Sequence, residues 1–572
     1  MKGTYAIEDR KSKEKSRRDA FRKSHLEEIK HEDKIFHVRA NKKLLYIVVS
    51  IILIPIIVAW VQYFVIGLPA NIVYVNSSTI SSNAPQGFPG WLRFMHYVNF
   101  IFLFLLIRSG LSILMDHPRL YLNNHCTPGT EMIQFTPIAV PSDRLWTAKD
   151  DNRYISPLVA LPGGRHTVGV ARSWHFISVF FFLLNGIIFV ALLFLTNQWQ
   201  RLVPTSWSII PQAWGVFVHY ATLHLPSEPD GFYAFNPLQQ LSYFTVTLVM
   251  APLSLLTGIA MSPAVDSRFP WFPKIFGGRQ FARLLHFFLL VGYVGFIIIH
   301  VALVIMTGFA RNMNHITIGI DSNSNIGIEI GVVGLLGALI IWALANYLAW
   351  SIPDKIQQIH RTMITPFTYF TMGKLPPHSR YQEADISPHF WPNGRLPVSG
   401  EWLTLLANNF EDYHLEVGGL VSKPITLSID ELKQMKDSEF ITMHQCIQGW
   451  SGIAKWGGVS LSKIVDLVKP TAEAHAIAFY SYGEGPEGGQ YYDTQLLSNV
   501  MQPECILAFE MNNEPLPKEY GAPLRLRVEN QLGYKMVKWI KRIEFIQSEA
   551  VLGYGHGGKN EDDEYFDLIP NI

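Results

Sequence analysis

Cys446 stands in the stretch MHQCIQGWSGIAKWGG, Met443 to Gly458, framed by glycines and two tryptophans and far along the chain from Cys126 and Cys505. Without a C-x-x-C spacing, these cysteines argue against zinc, iron–sulfur and c-type haem sites built from thiolates of this chain alone. A lone thiolate is a soft ligand, suited to a metal whose remaining sulfur donors arrive with a cofactor. Histidine supplies a second set of candidate ligands. His96, His175 and His286 each follow an arginine by three residues, in RFMH, RSWH and RLLH. His300 lies fourteen residues beyond His286. On one helix that spacing returns the side chain to within about 40° of the same face, about 21 Å further along the axis.

The elements that must position these residues follow from hydropathy. The 572 residues exceed one ordinary core, mean hydropathy is positive, and the net charge of +1 gives no sign of a nucleic-acid partner. Six segments are long and apolar enough to cross a bilayer: roughly 44–68, 94–115, 174–196, 241–261, 284–309 and 326–352. The aromatic stretch SWSIIPQAWGVFVHYATLHLP reads as an interfacial helix broken by Pro211. Residues 1–43 carry 14 Lys/Arg against 8 Asp/Glu and read as a solvated basic arm. No secretory signal precedes the first apolar run, and Arg17-Arg18 lacks the spacing of a twin-arginine signal.

Loop charge sets the direction. Arg119, Arg144, Lys149, Arg153, Arg165, Arg172, Arg268, Lys274, Arg279 and Arg283 share a side with the arm, whereas the opposite loops hold little beyond Arg93, Arg201 and Arg311. The expected topology is therefore an inner-membrane protein with the arm and the portion after Ile352 both cytoplasmic. His175 and His286 then lie near the cytoplasmic side, His96 and His300 near the outer side. Two bis-histidine sites at two depths result, each able to hold a haem iron. His219 and His224 on the interfacial stretch are rival outer ligands.

This arrangement resembles the di-haem membrane cytochrome b subunits of hydrogenases and formate dehydrogenases over roughly residues 90–350. The resemblance implies two b haems and electron exchange with quinone or quinol. The arginines ahead of each histidine suit haem propionates, or simply snorkel to the membrane edge.

After Ile352 a Pro/Gly-rich connection, 353–400, leads to short alternating runs such as YHLEVGGLV, HAIAFYSYG and VKWIKRIEFI, the pattern of a soluble α+β domain over 401–550. Ser428 and Glu431 have capping-box spacing. The runs HQCIQGWSGIAKWGGVSL and GAPLRLRVENQLGYKMVKWIKRIEF resemble the molybdopterin-binding domain of the sulfite oxidase family over about residues 385–550. That resemblance implies molybdenum held by Cys446 and a pterin dithiolene. It also implies cofactor contacts from Asn408, Ser481 and Arg525, and from Met536, Val537 and Lys538 around an anionic phosphate.

Where sulfite oxidases place an arginine soon after the metal cysteine, Lys455 is the first cation here. The chain thus looks more like the bacterial branch that reduces oxidised sulfur such as protein methionine sulfoxide. The sequence predicts a six-helix transmembrane bundle joined to a sulfite oxidase-like domain. The predicted activity is oxygen-atom transfer on a small or sulfur-containing substrate. A redox sensor with a non-catalytic pterin domain is the alternative, disfavoured because Cys446 is retained. The acidic tail, 551–572, reads as solvated or as a dock for a partner, and a homo-oligomer is compatible with the chain.

Overall fold

The computed structural model describes residues 39–67, 85–135, 140, 144–153, 155, 159–161, 168–225, 231–372 and 381–567. Most of the basic arm, Arg165 and the last five residues of the tail fall outside them.

Among the described residues six helices are long and apolar enough to span a bilayer: α1 Lys42–Ile66, α2 Gly90–Asp116, α3 Val168–Leu195, α4 Pro237–Ala260, α5 Arg279–Met306 and α6 Ile326–Ser351. Helices satisfy their own backbone hydrogen bonds, which hydrocarbon cannot do for them. α1 to α5 begin two to six residues ahead of the expected apolar segments. α3 and α5 each begin several residues before the apolar run, and the arginines ahead of His175 and His286 are helical. Leucine, isoleucine and valine side chains point outward along these helices, as a lipid-facing surface requires. Polar contacts are kept inside: Asn185 Nδ2 of α3 donates to Asn99 Oδ1 of α2 at 2.7 Å.

The interfacial helix runs Ile209–Ala221. Pro211 does not break it, because it lies in the first turn, where the missing N–H would find no intrahelical acceptor anyway. The connection after Ile352 also differs from expectation. Residues Pro353–Met372 form a helix, α7, whose His360 stacks on Phe176 of α3 at 5.3 Å.

The C-terminal domain contains two five-stranded sheets. Its strands are β1 His414–Gly419, β2 Ile425–Ser428, β3 Ser438–Gln445, β4 Ser451–Ser460, β5 Ala476–Glu484, β6 Gln490–Leu496, β7 Cys505–Met511, β8 Glu514–Pro515, β9 Arg525–Val528 and β10 Ile540–Ile546. One sheet runs β8-β7-β4-β3 with β9 also on β7, and the other runs β2-β1-β10-β5-β6. Among these pairings β10 with β1 is parallel. The Ser428 capping box forms as expected and starts the helix Ile429–Gln434. Leu415, Val417, Ile464, Phe479, Leu507, Leu526 and Ile543 lie in the main core of this domain. A second apolar cluster joins Cys446, Trp450, Trp456 and Trp391 to Tyr121, Cys126 and Ala148 of the membrane domain. The two domains therefore share a core.

The acidic run of the tail, residues 561–566, is not solvated. Glu561, Asp562, Asp563, Glu564, Tyr565 and Phe566 are buried, forming a strap between the domains. Lys535 Nζ bonds to Glu561 at 2.5 Å and to Asp493. Lys149 of the membrane domain meets Glu564 at 2.5 Å, and Gln357 of α7 donates to the Tyr565 carbonyl at 2.6 Å. Gly169 lets α3 approach the strap closely, since a Cβ there would collide with the Tyr565 carbonyl. Removing one partner from a buried charge cluster leaves the others uncompensated. Lys535→Met is accordingly expected to destabilise the C-terminal domain by about 3–5 kcal/mol, read as a lowered unfolding temperature in detergent, with little effect on the haem spectrum.

Candidate molybdenum and haem centres

The helices bring the histidines together in two pairs. Toward one end of the bundle the His96 ring of α2 and the His300 ring of α5 have centroids 6.4 Å apart. Two imidazoles sharing one metal at about 2.0 Å each place their centroids roughly 6 Å apart when in line, so the gap suits an intervening iron. Phe296 stacks on His300 at 5.4 Å and Tyr243 meets its edge at 5.9 Å, fixing the ring plane.

Toward the other end His175 and His286 lie within electrostatic reach of each other. Each has its Nδ1 engaged: Ser109 Oγ lies 3.0 Å from His175 Nδ1, and Thr257 Oγ1 lies 2.9 Å from His286 Nδ1. With Nδ1 anchored, Nε2 is the nitrogen left for a metal. Gly110 faces His175 and Gly258 faces His286, so no side chain from either position crowds the imidazoles. His219 and His224 do not join either pair; both lie against Tyr63 of α1, with ring centroids at 5.8 and 4.4 Å.

In the C-terminal domain Cys446 follows β3 directly and is 3% exposed. Burial pushes its thiol up to about 12, so the thiolate form needs a cation supplied at that spot, which a metal is. Asn393 Nδ2 lies 3.9 Å from Cys446 Sγ, and Gln448 Oε1 lies 3.8 Å from it. Lys538 Nζ donates to the Asn393 carbonyl and, at 3.0 Å, to that of Glu519. Ser481 Oγ donates to the Lys538 carbonyl at 2.7 Å.

Arg525 bonds to the Tyr520 carbonyl at 2.8 Å and lies 4.7 Å over the ring of Trp456, which carries Arg527 at 4.3 Å. Among the described residues neither Arg525 nor Lys538 meets a carboxylate. Burial, reinforced by Arg525, holds the Lys538 ammonium well below its ordinary range. Two enclosed basic groups with no directly bonded carboxylate among the described residues favour an anionic ligand such as a phosphate. Among the described residues, orphaned buried atoms gather in the same region: Arg525 Nε, Trp450 Nε1, Trp456 Nε1 and His389 Nε2. A large polar cofactor fits this inventory.

The sequence assignments thus divide. Cys446, Ser481, Arg525 and Lys538 converge, with Met536 and Val537 buried behind them. Asn408 does not join them. It ends the helix Gly400–Ala407 and bonds to Asp412, so the asparagine at the thiol is Asn393 of FWPNGRLP. The Asn-Gly turn there was the available signal. Sequence reading also missed the membrane residues that close the site. Gly449, at φ +110°, exposes its backbone to α5: its carbonyl accepts from Gln280 at 2.9 Å and Arg279 at 3.3 Å. A Cβ on Gly449 would lie 3.3 Å from Arg283 Cζ. Ser451 donates to the Asn124 carbonyl at 2.8 Å, and its N–H lies 3.4 Å from Cys126 Sγ.

Residues 403–553 match the family model of the oxidoreductase molybdopterin binding domain, and residues 87–317 that of prokaryotic cytochrome b561. The chain is 32% identical to a putative protein-methionine-sulfoxide reductase subunit, YedZ1, of Azospira oryzae over 25% of this chain and 52% of that protein. Identity to the protein-methionine-sulfoxide reductase catalytic subunit MsrP is 27% for Campylobacter jejuni, over 29% of this chain and 61% of that protein. It is 33% for Xanthomonas axonopodis, over 23% and 44%. The chain spans about half the length of the curated relatives it matches. Residues 87–317 are therefore a prokaryotic cytochrome b561 domain and residues 403–553 an oxidoreductase molybdopterin-binding domain of the sulfite oxidase type, joined in one chain.

Proposed function

We propose that the chain reduces a sulfoxide-class substrate by oxygen-atom transfer at a molybdenum centre on Cys446, using electrons drawn from quinol through two b haems. One observation carries the reading: the loop bearing Cys446 is clamped onto the first turns of α5, and the same helix holds His286 and then His300. A single rigid element thus links the thiol to both histidine pairs. The sulfoxide class is supported by the relatives named above.

In this reading Cys446 ligates molybdenum, Asn393, Ser481 and the segment Met536–Lys538 hold the pterin, and Arg525 with Lys538 takes its phosphate. The bound cofactor supplies the two-electron oxo chemistry. The protein's own residues position it and keep water out: Trp391, Trp450 and Phe390 wall the thiol with apolar surface. His175 with His286 and His96 with His300 hold the inner and outer haems. Loop charge supports placing the molybdenum domain on the cytoplasmic face of an inner membrane.

Cys446→Ser is expected to abolish both molybdenum content and sulfoxide-driven oxidation of dithionite-reduced haem; retention of both by that variant would defeat the assignment. Arg525→Met removes a charge-assisted contact and is expected to weaken cofactor retention roughly 10–100-fold, measured as molybdenum remaining after dialysis. His300→Ala should lower bound haem by about half in a pyridine haemochromogen assay, leaving molybdenum unchanged, whereas full haem content would break the outer pairing.

A further inference from the structure

Sulfoxide reduction consumes protons as well as electrons. In net form a sulfoxide, two protons and two electrons give a sulfide and one water: the sulfur–oxygen bond breaks, two O–H bonds form, and the electrons come from quinol. Protons must therefore reach a centre whose thiol is 3% exposed and walled by tryptophans. The C-terminal domain offers no carboxylate at Cys446 among the described contacts. The membrane domain does.

Asp116, the last residue of α2, is 6% exposed, and His117 after it is fully buried. Asn152 Nδ2 donates to Asp116 Oδ1 at 2.5 Å, while among the described residues Asp116 Oδ2 and both nitrogens of His117 have no hydrogen-bond partner. The carboxamide of Gln448 lies between this pair and the thiol. Its Oε1 is 3.8 Å from Cys446 Sγ and its Nε2 donates to the Asp116 carbonyl at 3.4 Å. Glu564 of the strap acts electrostatically on Asp116 and is paired at 2.5 Å with Lys149, whose side chain is 33% exposed. The charged groups facing Asp116 are Glu564 on the strap, Lys149 on its short helix, Arg283 on α5 and Arg172 on α3. His117 faces Arg283 and Arg119.

We propose that the membrane domain supplies the proton donor of the molybdenum site: Asp116, beside His117, delivers protons to the departing oxygen and is reprotonated from solvent through Glu564 and Lys149. One oxygen of this buried carboxyl is held by Asn152 and the other is left without a partner among the described residues, and a carboxyl that hands a proton on needs such an oxygen. The strap thereby couples docking of the two domains to turnover.

The proposal rests on the reduction inferred above and is tested on the full-length holoenzyme in detergent. The haems are reduced with dithionite and their reoxidation is followed by stopped flow after mixing with dimethyl sulfoxide and with methionine sulfoxide. Asp116→Asn is expected to keep molybdenum and haem content but slow reoxidation by about 100-fold. The wild-type rate should fall as pH rises through the donor's titration, and the variant should lose that alkaline limb. Asp116→Glu should restore part of it, and Glu564→Gln should slow the step with a larger solvent deuterium effect. Wild-type rate and pH profile in Asp116→Asn would overturn the proposal, as would loss of molybdenum in both Asp116→Asn and Glu564→Gln. Failure of either sulfoxide to reoxidise the wild-type haems would instead strike the substrate reading.

Discussion

Everything in this molecule depends on the seating of one loop. Between Cys446 and Ser451 the chain turns over Gly449, and its carbonyl is taken by Arg279 and Gln280 while Arg283 lies against its α-carbon. The positive φ of Gly449 is what exposes that carbonyl, and the missing Cβ is what admits the guanidinium. Because these donors belong to the first turns of α5, the thiol is registered against a membrane helix rather than against solvent. A shared apolar cluster then excludes water from the junction, and each polar contact inside it gains in strength.

Charge is handled in two contrasting ways around that junction. In the strap, Lys535 has Glu561 and Asp493, Lys149 has Glu564, and Arg361 has Asp567 at 3.2 Å. Around Arg525 and Lys538 the cations have only carbonyls and aromatic faces among the described contacts. Buried ion pairs hold domains in register, whereas unpaired buried cations destabilise the empty fold and are stabilised when an anion arrives. The same domain therefore contains a completed clamp and a pair of cations suited to an anionic ligand. The tryptophans framing Cys446 have a matching explanation: Trp456 is the surface on which two guanidinium planes lie, and Trp450 walls the thiol.

What could be read in the sequence was what local chemistry dictates. About twenty apolar residues in a row have one solution in a bilayer, so the six spans were legible, and helical periodicity alone set His286 and His300 on one face. Contacts made between distant segments were not legible. Asn408 lies in a local motif, yet it caps its own helix; Asn393 reaches Cys446 because the segment around it packs over the thiol, where Trp391 Nε1 donates to the Cys126 carbonyl at 2.7 Å. The acidic tail was misread for a similar reason. Five carboxylates in seven residues from Glu561 to Asp567 look solvated until Lys535, Lys149 and Arg361, none of them nearby in sequence, are brought against them. Pro211 was read by residue type when its position in the helix was decisive.

The basic residues that suggested a topology acquire a second role from this geometry. Arg119, Arg153 and Arg279 are buried, not displayed to a membrane surface. Arg119 pairs with Asp151 at 2.7 Å and Glu131 at 2.5 Å, and its carbonyl receives Arg283 at 2.9 Å. Residues that would hold this face of the bundle on one side of the bilayer are thus the residues that build the platform for the second domain. Fusion into one chain then has a physical rationale beyond convenience. A separate catalytic subunit would have to desolvate Arg279, Arg283 and Asp116 at each encounter, whereas a tethered one meets that cost once, on folding, and keeps the junction dry through every turnover.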